Sequence, residues 1–277
     1  MFITTITFFI YIFVMLAIGV LAAKSTKSLM DCVLGGRKLG RVITGLSAGA
    51  SDMSGWLLMG LPGALYVGGL CQAWIAIGLT VGQWCNWKFV AARLRSFTQH
   101  ASNSLTLPDY FAARFNDKYR ITSVVAALII LIFFVVYCAS GMVSGARLFE
   151  QTFGMEYQTA LIVGALSTIL YVCIGGFLAV SWTDAIQATM MIFALIITPI
   201  VIIMDIGSFA EANALVASKS ADMSNLVKGM SAIGFMSLAG WGLGYVGQPH
   251  ILVRFMAASS VKTIPGARRI SISRSEE

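Results

Sequence analysis

Charged side chains are scarce in this sequence. Asp, Glu, Lys and Arg together make up 11% of the 277 residues, whereas 58% are hydrophobic, and the mean hydropathy is +0.83. So few polar groups cannot coat a soluble globule of this length, which excludes an ordinary water-soluble domain. The composition instead predicts an integral membrane protein, with the lipid bilayer as its surroundings.

Signals for secretion, metal binding and catalysis are also missing. The N-terminal apolar run has no basic stretch before it and no small-residue cleavage site, so we expect it to remain as a first span. The cysteines form no CxxC pair, and His100 and His250 lie far apart, which argues against a metal site. The string GLGYVG at 242–247 fits a dinucleotide-binding pattern, but it follows no strand. We therefore expect no enzyme activity and no cofactor.

What the sequence does have is a series of long apolar runs. A helix needs about 20 apolar residues to cross a hydrocarbon core of roughly 30 Å. Seven such runs lie near 3–23, 43–67, 71–92, 122–146, 158–181, 185–204 and 229–252. They lack the ten-residue alternation of a membrane barrel. We predict an all-α, multi-span helical bundle, with a membrane domain over 1–252 and a cytoplasmic tail over 253–277.

The basic residues are distributed unevenly between the two sides of this bundle. Sixteen of the 19 Lys and Arg lie near the ends of spans one, three and seven or in the stretches that follow them, whereas the other three are Arg147, Lys219 and Lys228. Because basic loops are retained in the cytoplasm, we expect the N-terminus to lie outside a bacterial inner membrane. The net charge of +7 then needs no nucleic-acid partner, since the charges are scattered over separate loops. No obligate protein partner is expected either.

The second and seventh runs differ from ordinary membrane helices. Run two is dense in Gly, Ala and Ser and contains Asp52 and Pro62, while run seven carries a glycine tract before Pro249. Both should unwind easily. An ionised side chain within a span costs at least ~2.5 to 3.5 kcal/mol, so Asp52 needs a basic partner on another helix, a proton or a bound cation. The hydroxyls of Ser51 and Ser54 and freed carbonyls favour a cation with hard oxygen ligands.

Aromatic residues near these two runs suggest a substrate site. Trp56 lies one turn from Asp52, Tyr137 lies in run four, and Trp241 and Tyr245 are one turn apart in run seven. Such faces could hold a small solute that has an apolar ring and a charged amine. Taken singly, each of these residues is more typical of packing or of an interfacial aromatic belt than of a substrate site.

At these positions the sequence resembles the sodium/solute symporter family, and most closely its proline-transporting branch. The matching strings are LGGR at 34–37, SAGASDMSGWLLMGLPGA at 47–64, TLPDYF at 106–111, YCASG at 137–141, GGFLAVSWTD at 175–184 and WGLGYVGQPHI at 241–251. The resemblance implies two inverted five-helix repeats after an extra first helix, with ion and solute bound between the broken helices that open each repeat. Here those helices would be runs two and seven.

The resemblance also implies the roles of individual residues. The carbonyls of Ala50 and Met53 would hold sodium, and Asp52, Ser54 and Gly55 would shape the ion and substrate sites. The residues implied to line the L-proline pocket, together with Ser54 and Gly55, are Trp56, Tyr137, Trp241, Tyr245 and Pro249. Arg37 and Asp184, at the cytoplasmic ends of spans, would serve ion coupling and gating, although both also fit ordinary loop charges.

The implied function is sodium-coupled symport of L-proline into the cell, with sodium as the coupling ion. The family continues for several more spans after ARRI at 267–270, whereas this chain ends in SISRSEE. We therefore expect a chain truncated after the first repeat and the opening helix of the second, with impaired transport. The alternatives are symport of another small solute, a nonfunctional fragment, and a sensor that resembles a transporter.

Overall fold

The computed structural model describes residues 2–101, 103–220, 223–227 and 230–275. Lys228, assigned above to the outer side, and Gly229, where the seventh run begins, lie outside the described residues. Almost all of the described chain is helical, and no strand occurs within those ranges. The predicted all-α class is therefore confirmed.

The structure contains long helices joined by short helical turns. The α-helices are α1 (Phe2–Ala23), α2 (Leu29–Leu34), α3 (Arg41–Asp52), α4 (Leu61–Gly68), α5 (Ala73–Cys85), α6 (Ala92–His100), α7 (Leu107–Arg114), α8 (Ile121–Phe153), α9 (Tyr157–Ile206), α10 (Phe209–Lys219), α11 (Ala232–Ala239), α12 (Pro249–Ala257) and α13 (Ile264–Ser275). Trp56–Gly60 and Asn86–Ala91 are π-helical, and Gly35–Arg37, Leu70–Gln72, Gly240–Gly247 and Val261–Thr263 are 3₁₀ turns.

Three helices of the described chain are long and apolar enough to cross a membrane by length and composition. They are Ile3–Ala23, Ile121–Phe153 and Tyr157–Ile206. Shorter apolar helices cover Trp56–Gly68 and Ala232–Gly247, within the runs predicted to unwind. As crossings of a bilayer, the seven runs remain a prediction.

The two predicted runs 158–181 and 185–204 are not separated where the sequence suggests. The chain turns at Gly176, whose φ of 60° and ψ of −159° lie outside the helical region, and 182–184 stays helical within α9. The polar residues there do not end the helix because Ser181 and Thr183 donate their hydroxyls to the carbonyls of Phe177 and Ala179, at 2.8 and 3.1 Å. A glycine without Cβ is what allows the turn.

The buried core lies at one end of the bundle. Trp87, Ile251 and Phe255 are fully buried there, and α12 packs against α3 and α6. The backbone of Leu39 joins this end by hydrogen bonds with Ala257 and Ser259, at 3.3 and 2.9 Å. The connection after α9 contains α10, whose N-cap Ser208 accepts a hydrogen bond from Glu211 N.

Candidate functional site

The first helix break follows Asp52, as the composition of run two predicts. Helix α3 ends there, Met53 has a ψ of 87°, and the chain becomes helical again at Trp56. The Ser54 hydroxyl accepts a hydrogen bond from Leu57 N at 3.3 Å and so caps the new helical start. The break therefore exposes backbone groups beside a carboxylate and a hydroxyl.

Gly55 permits α8 to approach this break closely. A Cβ added at Gly55 would lie 2.3 Å from the Ser144 hydroxyl oxygen, which is far too short for a contact. Any larger residue at this position would push α8 away from the break. Gly55 thus belongs to the geometry of the candidate site through its lack of a side chain.

The second break lies in the glycine tract of run seven. Gly240–Gly247 forms a 3₁₀ segment, Gln248 is extended, and Pro249 opens α12 in its first turn. The tract presses on α5, because a Cβ at Gly242 would lie 1.9 Å from the Gly78 carbonyl oxygen. Tight winding and close approach both depend on the small residues that the sequence shows.

A hydrogen bond joins the two breaks. The Tyr245 hydroxyl donates to the Asp52 carboxylate, and the Tyr245 side chain is buried. The carbonyl of Tyr245 in turn accepts a hydrogen bond from Asn86 Nδ2 at 3.0 Å, and Asn86 is fully buried in the π-helical turn after α5. Asp52 thus has a hydroxyl partner on the other broken helix, and Asn86 fixes the backbone of that partner.

The predicted aromatic residues form two groups beside the breaks. The rings of Trp56 and Trp241 stack with centroids 4.4 Å apart and planes inclined by 20°. Tyr137 stacks on His250, the residue after Pro249, at 5.0 Å, and its hydroxyl donates to the Ser51 carbonyl at 3.5 Å. The structure therefore brings residues of α8 and of both broken helices together, although the sequence scatters them widely.

The two predicted gating residues do not meet. Arg37 is buried and donates to the carbonyls of Thr98 and Ser104, at 3.2 and 2.9 Å. Burial lowers the pKa of the Arg37 guanidinium from its usual value, and the nearby charge of Arg95 adds to the effect. Arg37 thus links its own 3₁₀ turn to the backbone around Thr98 and Ser104, and it is not an ordinary loop charge.

Asp184 lies inside α9, not at the end of a helix, and it has a different basic partner. Its carboxylate accepts hydrogen bonds from Arg254 at 2.8 Å and from the hydroxyls of Ser47 and Ser51, at 2.7 and 3.3 Å. Both members of the ion pair are mostly buried, with side chains 8% (Arg254) and 13% (Asp184) exposed. The same helix α3 that ends at Asp52 therefore supplies two ligands to this network.

Sequence reasoning missed Arg254, Ser47 and Asn86. Arg254 was counted among the basic residues of the tail, although it lies in α12. One signal was available, because Ser47 and Ser51 are four residues apart and so share a face of α3. Nothing in the sequence around Asn86 indicates its contact with Tyr245, which joins residues 159 apart.

The arrangement offers the chemical groups that a hard cation and a polar organic solute would require. Carboxylate, hydroxyl and carbonyl oxygens surround the first break, and stacked rings flank it. Within the ranges that the structure describes, no group of three or more His, Cys, Asp or Glu could hold a metal ion.

Comparisons with known proteins agree on one family. The sodium:solute symporter family model matches residues 32–274. The chain is 59% identical to the sodium/proline symporter of Escherichia coli K12, over 96% of this chain and 53% of that protein. It is 51% identical to the high-affinity proline transporter PutP of Bacillus subtilis, over 93% and 54%. The chain spans about half the length of the curated relatives it matches.

A solved structure shows the same fold. A Na⁺-coupled sialic acid symporter in a substrate-bound outward-open state superposes with a TM-score of 0.82 at 20% identity, over 97% of this chain and 56% of the other. The predicted architecture, a first repeat with the opening helix of a second, is thereby confirmed as a symporter fold.

Proposed function

Because the chain belongs to the sodium:solute symporter family, we propose that it forms the ion-binding and solute-binding half of a symporter that couples sodium entry to L-proline uptake. The observation that carries the proposal is the bond between Tyr245 and Asp52, which joins the two broken helices. Named relatives at 51 to 59% identity support proline as the solute. Sodium and proline are both substrates in this scheme.

Sodium binding is assigned to the break after Asp52. The carbonyls of Ala50 and Met53 and the hydroxyl of Ser54 supply neutral oxygens, and Asp52 supplies the negative charge that favours a cation here. A sodium ion would compensate the electrostatic cost of a carboxylate within a span. Its arrival would also compete with the Tyr245 hydroxyl for Asp52, so ion binding would loosen the link between the broken helices.

Proline binding is assigned to the space beside the same break. Trp56, Trp241 and Tyr137 offer aromatic faces for the pyrrolidine ring and the amine, with Pro249 at the start of the second half-helix. The helix that begins at Trp56 after Ser54 and Gly55 points its positive dipole end toward the break, which suits the proline carboxylate. Ion and solute would thus share one set of backbone groups, which couples their binding.

Gating is assigned to the end of the bundle that contains the buried core around Trp87 and Phe255 and most of the basic residues. We call it the basic end and propose that it faces the cytoplasm of a bacterium, with the N-terminus outside. For solute to leave on that side, the Asp184–Arg254 ion pair and its serine partners must separate. Arg37, which clamps Thr98 and Ser104, would hold neighbouring helices during this motion.

The test is sodium-dependent uptake of labelled proline into vesicles. We would compare this chain alone with the same chain continued by the remaining half of the Escherichia coli symporter. In whichever form transports, Asp52→Asn should raise the sodium concentration for half-maximal uptake by at least roughly tenfold, because the charge that attracts the ion is lost. Asp31→Asn, which removes an acid that caps α2, is the matched control and should leave sodium dependence unchanged. Unchanged sodium dependence in Asp52→Asn, or uptake that ignores sodium, contradicts the proposal.

A further inference from the structure

The basic end of the bundle carries surface charge that the transport site does not use. Lys88, Arg93 and Arg114 are exposed, and none of them lies within 4.0 Å of a carboxylate in the part of the chain that the structure describes. They differ from the neighbouring Arg37 and Arg95, which are buried and bound to backbone carbonyls. The three exposed cations therefore remain available to an outside anion.

Arg93 lines an open groove on α6, and Arg114 lies beside one of its walls. The groove has a volume of about 400 Å³ and is lined by Ala92, Arg93, Ser96, Phe97 and His100. The guanidinium carbon of Arg114 lies 5.2 Å from the centre of the Phe97 ring, which places a second cation at the rim. The groove thus combines a basic rim with an aromatic wall.

Lys88 extends this basic surface toward the apolar part of the same helix. Its ammonium lies 4.3 Å from the centre of the Trp84 ring and 5.4 Å from that of Phe89. Lys88 lies about one helical turn before Ala92 and Arg93, across the π-helical segment Asn86–Ala91, and is therefore near the groove that these two residues line.

An exposed apolar strip continues from the two cations along α5. Ile77, Val81, Trp84 and Phe89 are 41%, 57%, 38% and 50% exposed. Along one side the helix therefore passes from aliphatic to aromatic to basic side chains. That order matches the passage from acyl chains through the interface to lipid headgroups, where Trp and Lys are enriched.

We propose that the groove at Arg93, Phe97 and His100, with Lys88 and Arg114 at its edges, binds the headgroup of an anionic phospholipid whose acyl chains lie along the apolar strip of α5. Guanidinium and ammonium groups are the natural partners of a phosphate. A free phosphate would use the basic rim only, whereas the continuous apolar strip favours a lipid. The proposal goes beyond symport and requires only that this end of the bundle reaches a headgroup layer.

The test is lipid retention by the purified chain, measured by native mass spectrometry. The protein is titrated with phosphatidylglycerol or with phosphatidylcholine of the same acyl chains. The double variant Lys88→Gln/Arg93→Gln should bind phosphatidylglycerol roughly tenfold more weakly, since each cation near an anionic headgroup contributes to the attraction. The matched control is Lys118→Gln/Arg120→Gln, which removes two exposed cations elsewhere on the same end and should keep the affinity.

Several results would overturn the assignment. Equal weakening in the control would mean that general surface charge attracts the lipid, and displacement of the lipid by excess inorganic phosphate would mean a site for free anions. The unmodified chain provides a measurement that does not depend on how the variants fold. It must prefer phosphatidylglycerol to phosphatidylcholine, and the preference must shrink as salt is raised. Equal affinity for both lipids would refute the proposal.

Discussion

The two ends of the bundle are built differently. At the basic end, Trp87, Ile251 and Phe255 are fully buried and charged side chains are held by short polar contacts. At the opposite end, Val67 is 78% exposed. Under the proposed function, one end must close more firmly than the other at any moment, and this difference in packing would suit such a state.

The contacts at the opposite end are correspondingly light. The Lys219 ammonium donates to the exposed Tyr66 hydroxyl at 3.1 Å, and Trp74 Nε1 donates to the Leu226 carbonyl at 2.9 Å. Leu70 N donates to the Met223 carbonyl at 2.8 Å. Exposed polar contacts contribute little to stability, whereas buried ones are costly to break. The basic end should therefore dominate stability, and variants at the two ends can test this.

The largest effect is expected at the buried ion pair. Arg254→Leu should lower the free energy of unfolding in detergent by about 3 to 5 kcal/mol, because it leaves Asp184 buried without its cation. The double variant Asp184→Leu/Arg254→Leu should recover much of that loss, since no unpaired charge remains. If the double variant is as unstable as the single one, the pair matters for packing and not for charge.

An intermediate effect is expected at Asn86. Asn86→Leu removes the donor to the Tyr245 carbonyl and should cost about 1 to 3 kcal/mol. It should also speed hydrogen exchange in Gly240–Gly247, because that segment loses its fixed contact. Asn213→Leu on exposed α10 is the control and should change neither quantity. If hydrogen exchange in Gly240–Gly247 stays as slow in Asn86→Leu as in the unmodified chain, glycine packing alone holds the segment.

The smallest effect is expected at the opposite end. Tyr66→Phe removes the hydroxyl that Lys219 contacts, but the Tyr66 side chain is 69% exposed and water replaces the bond. The melting temperature in detergent should therefore stay within experimental error of the unmodified chain. A clear drop would mean that this end contributes more to stability than its exposure indicates, and the contrast between the ends would fail.

Local composition predicted local backbone behaviour well. The helices break in the glycine- and serine-rich runs around Asp52 and Gly240. Glycine and serine have weak helix propensity and proline disrupts a helix interior, so a continuous helix is not favoured there. The prediction was less good at 182–184, where polarity suggested a connection. There Ser181 and Thr183 satisfy their hydroxyls within the helix, and the turn comes at Gly176.

The sequence by itself determined the membrane class, the helical fold, the two weak helices and the need of Asp52 for a partner, since each follows from composition or from the cost of a charge in lipid. Only the tertiary structure decided the partners. Asp184 pairs with Arg254, 70 residues away, and Asp52 with Tyr245, 193 residues away. The physical reason is that periodicity shows which face a side chain occupies, whereas packing of distant helices decides what that face meets.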